Sequence, residues 1–591
     1  MPLIDSFLHP ATGFFILGLI LVLPFFRGRS WRWVLFLPPV LAIFLSLRMH
    51  MGSYWVVSYV GQDLVLGRVD PLSFLFVILF AILSLICTTF AYHVHDKTHH
   101  VASLFFMGAS FGCLLAGDYW TLYIFWQFMT VSSAFLIWLS GRPRSAEAGF
   151  RYMLVLLLSS VLLLAGILLR ERATGTFVFG PAESSMMHHY DWLILAAFCI
   201  NAAVVPMHAW LTDAYPESTI PGAVFLSVFT AKTAIYALTR CFVGLEVLFF
   251  LGAVMALYGT FFALTTNNIR RALAYLMVSQ GGFIVCGIGM DTEMALNGAM
   301  TMAYANTFYN ALLFMAAGSL LYVSGEEHLS RLGGLAKSFP KIVVLYMIGA
   351  LSMSCMPFLN GFVGTPMILE ALWQQSPVPA FALVVALAGT FLAVGLRIPW
   401  FAFKSGEAKE KKPHRRVPLN MLVAMVMAAA FCVIQGLFPH LLYRLLPFPV
   451  EGSPFALWKV FTALVFLCLV GVTFIPFRKV LVPGNRRLPD FDFLYRLVGR
   501  GVLFLFSRPL AWMDGIWTNV YQTVFVRAAV GTARSADSFD REGIDRVVEG
   551  TARSVLGLGR ISAGIQTGRL QEQLAWMVIL ALGLFALIWF W

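Results

Sequence analysis

Long apolar stretches recur along this chain, separated by short polar loops. They fall near residues 11–26, 31–47, 71–92, 101–117, 119–139, 150–169, 192–205, 221–242, 247–266, 272–290, 295–323, 342–359, 378–401, 419–437, 455–477 and 574–591. Each is long enough to cross, or nearly cross, the ~30 Å apolar core of a bilayer as a helix. The runs are continuous rather than alternating, which excludes a β-barrel. The pattern therefore predicts an all-α polytopic membrane bundle of about 16 transmembrane helices.

One region breaks the pattern. Between the last two runs, from Arg478 to Gln573, the chain becomes charged and rich in small residues. Ile544, Val547, Val548, Val555, Leu556, Leu558, Ile561, Ile565 and Leu570 recur at helical spacing, with Arg541, Asp545, Arg553 and Arg569 between them. This spacing predicts an amphipathic helix over 537–573 that lies on the membrane or on partner subunits. The expected organisation is N-terminal spans over 1–70, a core over 71–440, a further core span over 441–477, a lateral arm over 478–573 and an anchoring span over 574–591.

Composition agrees: 60% of residues are hydrophobic and only 12% charged, whereas a soluble chain carries about a quarter charged. The net charge of +12 does not indicate nucleic-acid binding, because the basic residues sit in short loops. Loops after odd-numbered runs hold Arg27, Arg29, Lys97, Arg142, Arg144, Arg270, Arg271, Arg331, Lys337 and the basic stretch 404–416. Loops after even-numbered runs hold Arg68, Arg170, Arg172, Arg240 and Arg444. The positive-inside rule then puts both termini outside and the arm in the cytoplasm. The first run follows no basic segment and reads as a retained span rather than a cleaved leader.

The eight cysteines form no CxxC pair and lie in or beside apolar runs, as small packing residues do. The loop His93-Val-His-Asp-Lys-Thr-His-His100 reads as hydrated interfacial residues, since no second compact set of ligands accompanies it. No metal and no cofactor is expected.

Two runs are interrupted, at Val205-Pro-Met-His-Ala-Trp-Leu-Thr-Asp-Ala-Tyr-Pro-Glu-Ser-Thr-Ile-Pro221 and at Met356-Pro-Phe-Leu-Asn-Gly-Phe-Val-Gly-Thr-Pro366. Both put Pro, Gly and polar residues at membrane depth. Two ordinary proline kinks would give this pattern. So would the discontinuous helices of a transporter built from inverted repeats, where each break lines a hydrated cavity.

The first break, Pro206-Met-His-Ala-Trp-Leu-Thr-Asp-Ala-Tyr-Pro-Glu217, and Phe229-Thr-Ala-Lys-Thr-Ala-Ile-Tyr-Ala-Leu-Thr-Arg240 after it resemble the central signature of antiporter-like membrane subunits. That family includes the proton-pumping subunits of respiratory complex I, subunits of Mrp sodium/proton antiporters and subunits of membrane-bound hydrogenases. Asn267-Asn-Ile-Arg-Arg-Ala-Leu-Ala-Tyr-Leu-Met-Val-Ser-Gln-Gly-Gly-Phe283, Ala311-Leu-Leu-Phe-Met-Ala-Ala-Gly318 and Leu329-Ser-Arg-Leu-Gly-Gly-Leu335 resemble its later signatures, in the expected order. Phe491-Asp-Phe-Leu-Tyr495 and Gly564-Ile-Gln-Thr-Gly-Arg-Leu570 resemble the lateral helix of the distal complex I subunit. The resemblance implies two inverted five-helix repeats with broken helices, plus a lateral arm. It implies partners as well: other membrane subunits of a complex I-like, Mrp-like or hydrogenase-like assembly in a prokaryotic inner (plasma) membrane.

In that family, ions follow a line of buried ionisable residues. Such groups cost about 2.5–3.5 kcal/mol at mid-membrane, so they persist for a function or with a partner. The candidates here are Lys232, His208, Asp213, Glu217 and Glu370. Each also has a plainer reading: Lys232 could snorkel, His208 and Asp213 could cap the broken helix, and Glu370 could be solvated. Five family positions are substituted. Gln127 stands for a carboxylate, Asn201 for a lysine, Asn306 and Asn310 for a histidine and a lysine, and Thr365 for an ionisable residue. These side chains hydrogen-bond water but hold no proton at neutral pH. The expected function is a membrane subunit moving protons or sodium ions. The alternatives are a degenerate channel kept as a structural or coupling subunit, and a quinone-reactive redox subunit.

Overall fold

The computed structural model describes residues 8–23, 30–59, 61–182, 187–404, 416–450, 452–484, 490–565 and 570–589. Arg27, Arg29, positions 405–415 of the basic loop and positions 566–569 of the lateral-arm motif lie outside them. The chain divides into two units, Met1–Asp492 and Phe493–Trp591.

The first unit opens with α1 (Pro10–Val22) and α2 (Leu37–Leu47). A hairpin follows, β1 (Gly52–Tyr59) and β2 (Gln62–Val69), antiparallel, with Gly52 opposite Val69 and Gly61 turning it at φ +77°. Sequence reading took this stretch for a loop. Its run of aromatic and β-branched residues, Tyr54, Trp55, Val56 and Val57, suits a pleated strand instead.

The helical core comprises α3 (Pro71–Ala91), α4 (Lys97–Leu115), α5 (Tyr119–Trp138), α6 (Ser145–Thr174), α7 (His189–Asn201), α8 (Ala209–Glu217), α9 (Ile220–Cys241), α10 (Glu246–Thr265), α11 (Ile269–Ile288) and α12 (Glu293–Ser324). It continues through α13 (Leu335–Ser338), α14 (Pro340–Met353), α15 (Gly361–Gln375), α16 (Pro377–Thr390), α17 (Leu419–Leu437), α18 (His440–Tyr443) and α19 (Leu457–Phe477). Beyond α16 the helix widens into i→i+5 turns at Phe391–Arg397 and Trp400–Lys404. Among the described residues, 11 helices are long and apolar enough to cross a membrane, and four apolar helices are shorter. By that measure the expected sixteen crossings are not reached, because the first two helices, both broken helices and the last helix fall short.

Local chemistry sets the helix starts. Asp70 caps α3 through Ser73 N (2.9 Å) ahead of Pro71, and Thr219 caps α9 through Gly222 N (2.9 Å). Asp96 caps α4, so His99 and His100 fall inside that helix and are buried, at 2% and 3% exposure. This corrects the expectation of a hydrated histidine loop: His99 Nε2 lies 3.1 Å from Thr219 Oγ1 and His100 Nε2 3.1 Å from the Val94 carbonyl.

The repeat is visible in recurring landmarks 150 residues apart. Asp118 caps α5 and bridges Val178, while Asn268 caps α11 and bridges His328. Gly175 ends α6 at φ +69°, and Gly325 ends α12 at the same angle. α7 and α8 form one broken helix, and α14 and α15 form its counterpart. Counting each broken pair as one crossing, five crossings separate α5 from α11, so equivalent helices run in opposite directions. Glycines let α10 and α11 touch. A Cβ on Gly252 would meet Cys286 N at 2.3 Å, and one on Gly282 would meet Ala256 N at 2.5 Å.

The second unit is a near-continuous helix. α20 (Asp492–Val520) passes through wide turns into α21 (Arg527–Phe539) and α22 (Arg546–Ile565), and α23 (Leu570–Trp589) follows. The amphipathic helix thus begins well before the expected Asp537. Gly499, Gly501 and Pro509 lie within α20. In α22, Val548, Val555, Leu558 and Ile561 are all more than 60% exposed within this unit.

Candidate ion pathway

α9 is wholly enclosed by other helices, and Lys232 lies midway along it, 1% exposed. Its ammonium has no hydrogen-bond or ion-pair partner among the described residues. Snorkelling is therefore not what the fold does with it.

Around the first break, the freed backbone is satisfied by side chains, as broken helices at membrane depth require. Trp210 Nε1 donates to the Ile200 carbonyl at the end of α7 (2.8 Å). Arg270 of α11, 1% exposed, donates to the carbonyls of Pro216 (2.7 Å), Tyr215 (3.0 Å) and Ser218 (3.0 Å), closing the end of α8. Asn201, fully buried, donates to Ser159 Oγ and to the Ala197 carbonyl (3.1 Å). Tyr152 donates to Ser133 Oγ (2.8 Å). Trp126 packs on Phe198 with ring centroids 5.5 Å apart, so α5 faces α7 next to Gln127 and Asn201. No hydrogen bond joins Gln127 to Asn201 among the described residues.

The second half repeats the scheme in neutral residues. Asn310 Nδ2 donates to Asn306 Oδ1 on the same buried face of α12. Tyr309 donates to Gln280 Oε1 (2.8 Å). At the second break, Asn360 Nδ2 donates to the Ala305 carbonyl (3.3 Å) and to Gln435 Oε1 (3.2 Å). Thr365, 3% exposed, donates to the Gly361 carbonyl (2.9 Å). Buried polar atoms without a protein partner concentrate here: Gln127 Nε2, Asn201 Oδ1, Gln280 Nε2, Asn306 Nδ2, Asn310 Oδ1 and Asn360 Oδ1. Such atoms are ordinarily satisfied by buried water.

The acidic candidates are placed differently. Asp213 sits 2.6 Å from Arg151 Nη2 and 3.8 Å from Arg271 Nη2, in an ion-pair cluster rather than a helix cap. Glu217, 9% exposed, ends α8 within electrostatic reach of Arg270. Glu370 accepts from Lys459 of α19 at 2.7 Å, so it is paired and not merely solvated. His208, fully buried, begins α8, and its Nε2 lies 3.3 Å from the Asp490 carboxylate. Sequence reading missed Asp490, Ser159, Gln280 and Gln435. Asn360 stood inside the second break, and its neighbours could have been sought there. Asp490 follows no periodic signal.

Fold and site together define a polytopic membrane protein with two oppositely oriented broken helices around a buried polar axis. Residues 116–393 match the family described as NADH:quinone oxidoreductase/Mrp antiporter, transmembrane. The chain is 31% identical over 369 residues to NAD(P)H-quinone oxidoreductase chain 4 1 of Synechococcus sp. (strain JA-3-3Ab), covering 59% of this chain and 67% of that protein. It is 26% identical over 395 residues to a Na(+)/H(+) antiporter subunit of Bacillus subtilis (strain 168), covering 62% of this chain and 79% of that protein. Its fold is similar to a chain of the membrane-bound sulfane sulfur reductase, an archaeal respiratory membrane complex, with a TM-score of 0.68 at 18% identity, over 98% of this chain and 99% of that one. The protein belongs to the NADH:quinone oxidoreductase/Mrp antiporter family of membrane subunits.

Proposed function

We propose that this chain is a membrane subunit of a proton- or sodium-translocating multi-subunit complex, NADH:quinone oxidoreductase-like or Mrp antiporter-like, and that it moves ions along its buried polar axis. Lys232 carries this reading: an enclosed ammonium without a described partner is costly, and such a residue marks an ion route. Other membrane subunits of the assembly are its partners. The loop charges support an orientation with both termini outside, and an arm on the cytoplasmic face of a prokaryotic inner membrane.

A second reading is favoured by Gln127, Asn201, Asn306, Asn310 and Thr365. With neutral amides and a hydroxyl along most of the axis, the chain would serve as a coupling subunit without flux of its own. Lys232→Ala separates the two. With the assembly intact in reconstituted vesicles, loss of ion flux supports transport, and unchanged flux supports the coupling role.

A further inference from the structure

The segment joining the core to the arm is fastened to the core at two places. Arg397 Nε, in the wide turns after α16, donates to the Leu481 carbonyl (3.1 Å). Nine residues on, Asp490 reaches the foot of the first broken helix. Its carboxylate accepts from the hydroxyls of Tyr258 on α10 and Tyr275 on α11, and lies 3.3 Å from His208 Nε2. Phe491 packs beside it, its ring centroid 5.6 Å from that of Tyr258 and 6.4 Å from that of His208. The Asp490 side chain is 9% exposed and that of His208 is fully enclosed. Both ring nitrogens of His208 are buried and make no hydrogen bond to protein among the described residues, so the approach of Nε2 to Asp490 is a close contact of 3.3 Å and not a formed hydrogen bond. α20 begins two residues later, at Asp492.

We propose that Asp490 belongs to the ion pathway, as the carboxylate that faces His208 at the break of the first broken helix. The inference rests on the transport reading above. A structural tether needs no buried charge. An apolar side chain would fill the same place beside Phe491, without the several kcal/mol that desolvating an ion costs. Burial pushes the Asp490 carboxyl up, but the neighbouring His208 and the two phenol donors outweigh it and hold the carboxyl at about 2. At neutral pH, Asp490 is therefore an anion, seated between His208 and the two phenols. The other charged groups nearby are Asp213 on α8 and Arg271 on α11, which pair with each other at 3.8 Å.

The test uses the whole assembly in vesicles. Asp490→Asn keeps the size and removes the charge. It should lower proton flux at least tenfold while the subunit composition is unchanged; wild-type flux would overturn the inference. Lys232→Ala, run in parallel, separates the two proposals. If neither variant changes flux, the transport reading fails, whereas if only Lys232→Ala stops it, this inference alone fails. Should Asp490→Asn not assemble, Tyr275→Phe carries the test. Losing one of the carboxylate's two phenol donors loosens its seat, so proton flux should fall with the subunit composition unchanged, and wild-type flux would overturn the inference.

Discussion

Replacing Lys232 with methionine tests whether function or stability keeps a charge in the centre of α9. Methionine preserves the unbranched stem and removes the ammonium. At a helix centre in the bilayer, lysine is unfavourable by about 2.5–3.5 kcal/mol, and apolar residues are favourable by about 0.3–0.6 kcal/mol. Here the side chain is 1% exposed, and no described residue returns part of that cost through a hydrogen bond or ion pair. The full swing applies, so Lys232→Met should stabilise the chain by roughly 3 kcal/mol, about a hundredfold in the unfolding equilibrium. Unfolding of the reconstituted protein by a denaturing detergent, followed by tryptophan fluorescence, reads the stability. Ion flux in the same vesicles reads the function. Higher stability with lost flux is the expected pair. A loss of stability would refute the reasoning, because it would mean the ammonium is held by a favourable contact.

Two further outcomes follow from the breaks. Gly361→Ala should destabilise the second break by about 1–3 kcal/mol, since the added Cβ would fall 1.8 Å from the Ser352 carbonyl oxygen; wild-type stability would show that the backbone there yields easily. Gln127→Glu alone buries an uncompensated carboxyl and should weaken the chain, while adding Asn201→Lys should recover most of the loss. A double-mutant cycle should give a coupling of about 1–3 kcal/mol, and simple additivity would show that the two positions do not face each other.

The helical class and both breaks were readable because hydrophobic run length and misplaced Pro and Gly carry that information directly. Lys232 was readable because a lysine in the middle of an apolar run is conspicuous. The hairpin over 52–69 was hidden in a loop between long spans, because its short runs of aromatic and β-branched residues do not alternate with polar ones. His99 and His100 looked hydrated because charge lies beside them, yet the Asp96 cap turns them inward. Asp213 and Glu370 show the limit most clearly. Their partners Arg151 and Lys459 lie on other helices, far along the chain. Asp490 is the extreme case: its three contacts come from α8, α10 and α11, and only folding brings them together.

The inverted repeat has an electrical consequence. Two halves of opposite direction place their mid-membrane positions at comparable depth in the transmembrane field, but among the described residues Lys232 of the first half is charged where Asn306 and Asn310 of the second are neutral. Moving one elementary charge across the whole membrane is worth about 2.3 kcal/mol per 100 mV, so a group halfway across senses about 1 kcal/mol of it. The potential can therefore act on the Lys232 ammonium, while Asn306 and Asn310 offer it nothing to act on. If the chain conducts, the membrane voltage, which a symmetric pair of channels would divide between two such sites, meets an unpaired charge among the described mid-helix positions at Lys232.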